Sequence, residues 1–150
     1  MIPQNTILNT NQSILGIKRR CNKMIRGIDN VTIFSEDAKK LAFFYKDKVG
    51  LKLTLEAQMG EKGEELYGFE FKKSSDLYIV DHSKVKDKNK FPERIIVDFE
   101  VGNIDNEIKR LEKAGVKKIQ RKYHIEGYGY IATFEDIDGN YFQLVQVKPN

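Results

Sequence analysis

Apolar and polar positions alternate from Ile28 to Phe34, the mark of a half-buried strand. The period then changes. Ala38, Leu41, Ala42, Tyr45 and Val49 recur at helical spacing, with Ser35 at the expected N-cap, Asp37 near the electropositive helix start and Gly50 at the expected C-terminus. Further strands are predicted at Leu51–Ala57, Leu66–Lys72 and Leu77–Asp81. Gly60 and Gly63 mark the first intervening turn, and Lys73–Asp76 the second. A charged stretch over 82–92 reads as a linker. The same order then returns: a strand at Arg94–Val101, then a helix capped by Asn103 and closed by Gly115, then strands at Val116–Arg121, Tyr128–Glu135 and Tyr141–Val147. Ile104, Ile108, Leu111 and Ala114 form the apolar stripe of that second helix.

This internal repeat predicts an α+β fold of two βαβββ units, at about 27–81 and 93–147, within one domain over 24–150. One unit cannot bury its sheet alone. The two are therefore expected to pair into a curled mixed sheet around a cleft, with the helices outside.

Composition changes this picture little. A chain of 150 residues with 40% hydrophobic and 32% charged residues suits one soluble domain. No apolar run approaches the roughly 20 residues of a membrane-spanning helix. The single cysteine, Cys21, excludes an internal disulfide and fits a cytoplasmic location. Charge is informative by its position. The net +4 equals the four basic residues Lys18, Arg19, Arg20 and Lys23, while residues 1–23 hold no acid. The remainder is formally neutral, so there is no basic stripe for a nucleic acid and no membrane partner is expected. Residues 1–23 read as a flexible basic arm. Met24 offers an alternative start.

Three stretches carry a family resemblance. Ile28-Asp29-Asn30-Val31-Thr32-Ile33-Phe34 leads to Ala42-Phe43-Phe44-Tyr45 and Val49-Gly50-Leu51. Val97-Asp98-Phe99-Glu100-Val101 leads through Ile104-Asp105 to Ala114-Gly115-Val116. The turn Asp138-Gly139-Asn140 closes a hairpin before Phe142-Gln143-Leu144. In order and spacing these resemble the vicinal oxygen chelate superfamily, which includes glyoxalase I, bleomycin-resistance proteins and extradiol dioxygenases. The resemblance implies a divalent metal held by side chains of the first, fifth and last strands. The matching positions here are Asn30, Ile96 and Gln143, with Ile79 read as the counterpart of Gln143 in the first unit. An aliphatic side chain and two amides are poor ligands for such an ion, so no metal cofactor is expected.

Strand alternation assigns the candidate site. Asn30, Thr32, Arg94, Ile96, Asp98, Tyr141 and Gln143 are expected to face the cleft, and Tyr128 and Tyr130 to border it. Asp98 is the candidate general base, with Arg94 on the same strand face to grip an anion; an internal ion pair is the plainer alternative. The tyrosines either line a ligand pocket or serve as strand-forming aromatics. His82, at the linker, and His124, in the loop before the seventh strand, read as surface histidines. The expectation is a homodimeric protein that binds a small organic ligand without metal. The alternative is a glyoxalase-like lyase or isomerase, using an atypical metal site or Asp98 as base.

Overall fold

The computed structural model describes residues 25–148. The basic arm over 1–23 and Met24 lie outside the described residues. The chain runs β1 (Asn30–Ser35), α1 (Ala38–Phe44) with a π-helical turn (Tyr45–Val49), β2 (Leu55–Met59), β3 (Glu64–Phe69) and β4 (Asp76–Asp81). A 3₁₀ turn (Pro92–Arg94) precedes β5 (Val97–Glu100), α2 (Ile104–Lys113), β6 (Lys117–Ile125), β7 (Gly129–Glu135) and β8 (Tyr141–Val147). The strands form two four-stranded mixed sheets, ordered β1-β4-β3-β2 and β5-β8-β7-β6. In each sheet the first and last strands of a unit pair in parallel and the remaining pairs are antiparallel. The expected α+β fold of two βαβββ units is the observed one.

The two units are built alike down to their helix starts. Asp37 and Asn103 cap α1 and α2 through Lys40 N and Asn106 N. A side chain at the end of each unit's last strand accepts the first helical N–H: Asp81 from Ala38 at 2.8 Å, and Gln146 from Ile104 at 2.8 Å. The unpaired amides of each helix start are thus met twice. Ser35, expected as the cap of α1, sits two residues before the observed cap. Its buried hydroxyl accepts from Asp37 N and donates to Asp138 across the molecule at 2.6 Å.

Both helices cover one face of their sheets and share a single core. Leu41, Tyr67, Phe69, Leu77 and Ile79 fill the first sheet's side, and Leu111, Phe134, Phe142 and Leu144 the second's. Phe44 and Tyr45 of α1 reach across to Phe142, at ring separations of 6.5 and 5.8 Å. Arg110 of α2 answers from the other side. Its guanidinium donates to the carbonyls of Lys48 and Val49 where the π turn ends in Gly50, at φ 88°.

The hairpin between β7 and β8 is organised by Asp136, which is 3% exposed. Its Oδ1 accepts from Asp138 N and Asn140 N, both at 2.9 Å. Its Oδ2 accepts from Asn140 Nδ2 at 3.0 Å and from the buried Tyr45 hydroxyl at 2.8 Å. Burial pushes this carboxyl above its ordinary range, while the hydrogen bonds from Asn140, Tyr45 and Asp138 pull it back. Burial and the Asp136 charge hold the Tyr45 phenol well above its ordinary value.

Several boundaries depart from the sequence reading. Leu51 and Leu53 pack half-buried against the core before pairing begins at Thr54, so β2 starts later than expected. Pro92 opens a 3₁₀ turn, so Arg94 lies outside β5 and Ile95 is 77% exposed instead of facing the helix. β6 continues to Ile125 through two register shifts, which puts His124 on a strand and not in a loop.

Replacing Asp136 with Ala leaves three buried or half-buried donors and the Tyr45 hydroxyl without their acceptor. The expected loss is at least about 3 kcal/mol of unfolding free energy. Tyr45→Phe removes one bond and is expected to cost about 1 kcal/mol. Urea denaturation of both variants checks the order, and equal losses would contradict it.

Candidate functional site

The helix-free face of each sheet carries the polar rows. In the second sheet Asp98 stands beside Gln143, Gln143 beside Thr133, and Thr133 beside Gln120. Gln143 Nε2 donates to Thr133 Oγ1 at 3.0 Å. In the first sheet the equivalent row is Thr32, Tyr78, Gly68 and Leu55. Tyr78 is therefore the first-unit counterpart of Gln143, because Thr32 and Asp98 hold the same place on β1 and β5. Ile79, the residue matched to Gln143 by sequence, is fully buried on the helix side. A slip of one residue on a strand exchanges the faces. Gly68 makes room for Tyr78, since a Cβ there would lie 2.8 Å from the ring. Desolvation, followed by the negative charges of Asp76, Glu70 and Asp29, raises the Tyr78 phenol above its ordinary value.

The sequence-assigned residues do not all converge. Asp98 and Gln143 are direct neighbours, and Tyr141 shares their face nearer the hairpin. Ile96 precedes β5 and is half-buried. Asn30 and Thr32 lie on the other sheet, where Thr32 Oγ1 donates to Asn30 Oδ1 and Asn30 Nδ2 donates to Asp29. Arg94 is exposed and packs its guanidinium over Phe91, at 5.5 Å, so it does not share a strand face with Asp98. Tyr130 faces the helix side, packed against the core, with His124 at 5.0 Å and Lys122 Nζ at 5.2 Å from its ring. Tyr128 is 41% exposed at the turn before β7. His82 stacks edge-on against Phe34 at 5.0 Å.

The donors at the three metal positions of the resemblance do not fit a divalent transition metal. Ile96 has no donor atom, the Gln143 amide nitrogen is turned to Thr133, and Asn30 is engaged by Asp29 and Thr32. Among the described residues no three His, Cys, Asp or Glu side chains gather into a metal site.

A cavity of about 920 Å³ opens where the two units meet. Val31 and Leu77 of the first sheet and Phe99 and Leu144 of the second give it apolar walls. The turn before β4 and the end of the π turn close its sides. Of the residues assigned from sequence, Asp98 alone lines it. Sequence reasoning missed Phe71, Phe99 and the β3–β4 turn, because pairing two units at their edges leaves no local signal in either. Although its residue is exposed, the Asp98 carboxyl is partly desolvated, which raises it above the ordinary carboxylate range.

The glyoxalase/bleomycin resistance protein/dioxygenase superfamily model matches residues 27–144. The chain belongs to that superfamily. It is 26% identical over 121 residues to the uncharacterised protein YetH of Bacillus subtilis, covering 81% of this chain and 98% of YetH. Among solved structures it is similar to TnmS3, an antibiotic-binding protein from Streptomyces sp. CB03234, at 23% identity and a TM-score of 0.66, covering 83% of this chain and 98% of that one. It is also similar to the fosfomycin resistance protein FosX from Listeria monocytogenes, at 17% identity and a TM-score of 0.64, covering 83% of this chain and 96% of that one. At these identities the structural likenesses show the superfamily fold.

Raised in the folded state, the Asp98 carboxyl supplies stability that is fully present below the unfolded carboxylate pKa of about 3.9 and is lost as pH rises through its folded value. Asp98→Asn is therefore expected to raise the melting temperature at neutral pH, with the gain vanishing towards about pH 3.5. Melting curves of both proteins across that range check it. A gain that does not change with pH would contradict it.

Proposed function

We propose that this superfamily member binds a small organic ligand without a metal, in the cavity between its two units. The observation that carries this reading is the cavity of about 920 Å³, with apolar walls from both units and Asp98 of β5 among its lining residues. That size and mixture suit a small-molecule site. The donor set at the metal positions supports the metal-free part, since Ile96 offers nothing to an ion. TnmS3 and FosX, named for antibiotic binding and fosfomycin resistance, lend the reading support by fold alone. A second reading, a lyase or isomerase using Asp98 as base, is favoured by the partial desolvation that raises the Asp98 carboxyl beside Gln143.

The functional unit in this reading is a cytoplasmic homodimer. The lone cysteine suits a reducing compartment. β1 and β5 each end a sheet and have no further strand partner among the described residues. Ile28 beside β1 is 73% exposed, and Phe91 and Ile95 before β5 are 65% and 77% exposed. Open strand edges flanked by apolar side chains favour pairing with a second copy.

Elemental analysis of protein purified without chelator is expected to show no stoichiometric divalent ion. A tightly bound ion that disappears in Gln143→Ala would overturn the metal-free reading. Light scattering is expected to give twice the 17.4 kDa chain mass, falling towards the monomer in Ile95→Lys. A monomeric parent protein would overturn the dimer.

A further inference from the structure

Resting on that reading, we propose that Arg110 is a positioning residue of the ligand site: it sets the fit of the cavity by holding the π turn of α1 as a wall, and does not itself bind the ligand. Val49, Gly50 and Leu51 line the cavity where that turn ends. Turns of this kind are rare and recur at functional sites. The Tyr45 carbonyl accepts from the amides of both Gly50 and Leu51. The carbonyls of Lys48 and Val49 lie past the last helical amide and need donors from elsewhere.

The second unit holds the turn at both ends. At its start the Tyr45 hydroxyl donates to Asp136 at 2.8 Å. At its end the two terminal nitrogens of Arg110 donate to the carbonyls of Lys48 and Val49, at 3.0 and 2.6 Å. Glu107, on the preceding turn of α2, accepts from Nε and one terminal nitrogen at 2.9 and 2.6 Å and fixes the plane of the guanidinium. Gly50 admits this approach, since a Cβ there would stand 3.4 Å from a terminal nitrogen. Lys46, Asp47 and Lys48 between the two anchors are exposed, so the anchors and the buried Val49 locate the wall. The four bonds take up four of the five guanidinium N–H groups, which leaves Arg110 little to offer a ligand. The Tyr45 anchor is buried, whereas the Arg110 side chain is 42% exposed. Changing Arg110 therefore loosens the wall and leaves the core in place.

2-Phenylethanol and 3-phenylpropionate share an apolar body and differ in charge. Titrating each into the full-length ¹⁵N-labelled protein and into Arg110→Lys separates a wall from a direct contact. Lysine keeps the charge but cannot bridge both carbonyls and Glu107. Both compounds are expected to move the amide signals of Phe99 and Leu144, and to bind Arg110→Lys at least about fivefold more weakly, by a common factor. Glu107→Gln is expected to weaken both by a smaller common factor. Without ligand, the Gly50 and Leu51 amides of Arg110→Lys are expected to exchange hydrogen faster, with Leu111 unchanged. Unchanged affinities, or unchanged exchange at Gly50 and Leu51, would overturn the positioning role. So would a loss confined to the acid, the mark of a direct ion pair. The cavity reading would stand in each of these cases. If neither compound moved those signals in the parent protein, both would fall.

Discussion

The meeting of Tyr45 with Asp136 ties the two halves of this molecule together. Each unit on its own is a helix laid on a four-stranded sheet, too small to exclude water from both ends of its core. The phenol of Tyr45 comes from the first unit and the carboxylate from the second, and their 2.8 Å bond is buried. The same carboxylate sets the β7–β8 turn by taking three donors from Asp138 and Asn140. Asp138 in turn holds Ser35 at the end of β1, and its carbonyl receives Asn89 N from the linker. Two acidic residues of one turn, Asp136 and Asp138, thus connect the opening strand, the first helix, the linker and the last hairpin. A buried carboxylate with too few donors would be costly. Four donors make it a point of registry between the units.

That registry has a consequence for the site. With α1 wedged against Phe99 and Phe142, the cavity forms where β5 passes the end of the π turn and the β3–β4 turn. Its shape depends on contacts from both units, and Arg110 fixes the remaining corner by seizing the carbonyls of the π turn. The guanidinium is engaged there by the fold itself, with Glu107 as its ion-pair partner.

Much of the fold was legible because it is written in local patterns. Alternation in β1 and β8, helical spacing in α1 and α2, and Gly50 and Asn103 at helix ends each follow from one short segment. The errors fell where a distant partner decides. Ser35 lost the cap to Asp37 because Asp138, far along the chain, claims its hydroxyl. Arg94 left the strand because Pro92 starts a 3₁₀ turn. The counterpart of Gln143 moved from Ile79 to Tyr78, since only the pairing register shows which face a residue joins. For the site, strand parity placed Gln143 and Asp98 side by side, but parity cannot show that Asn30 and Thr32 belong to a different sheet. Asp136 was the most consequential omission. An Asp two residues before Asp138-Gly139 is a recognisable Asx-turn signal, but its second role, receiving Tyr45, has no local trace.

The positions that carry the superfamily's fold in this chain are not those matched to its metal. The fold is carried by the helix-facing rows, where Phe99, Phe142 and Leu144 are core residues. The positions matched to metal ligands lie on the opposite parity of the same strands and contribute little to burial. They can change from imidazole or carboxylate to Asn, Ile or Gln without disturbing packing, and Thr133 satisfies the amide that results at Gln143. Asp98 answers to a different constraint. It sits on an edge strand where the cavity begins, its carboxyl is raised by desolvation, and no hydrogen bond from the described residues compensates it.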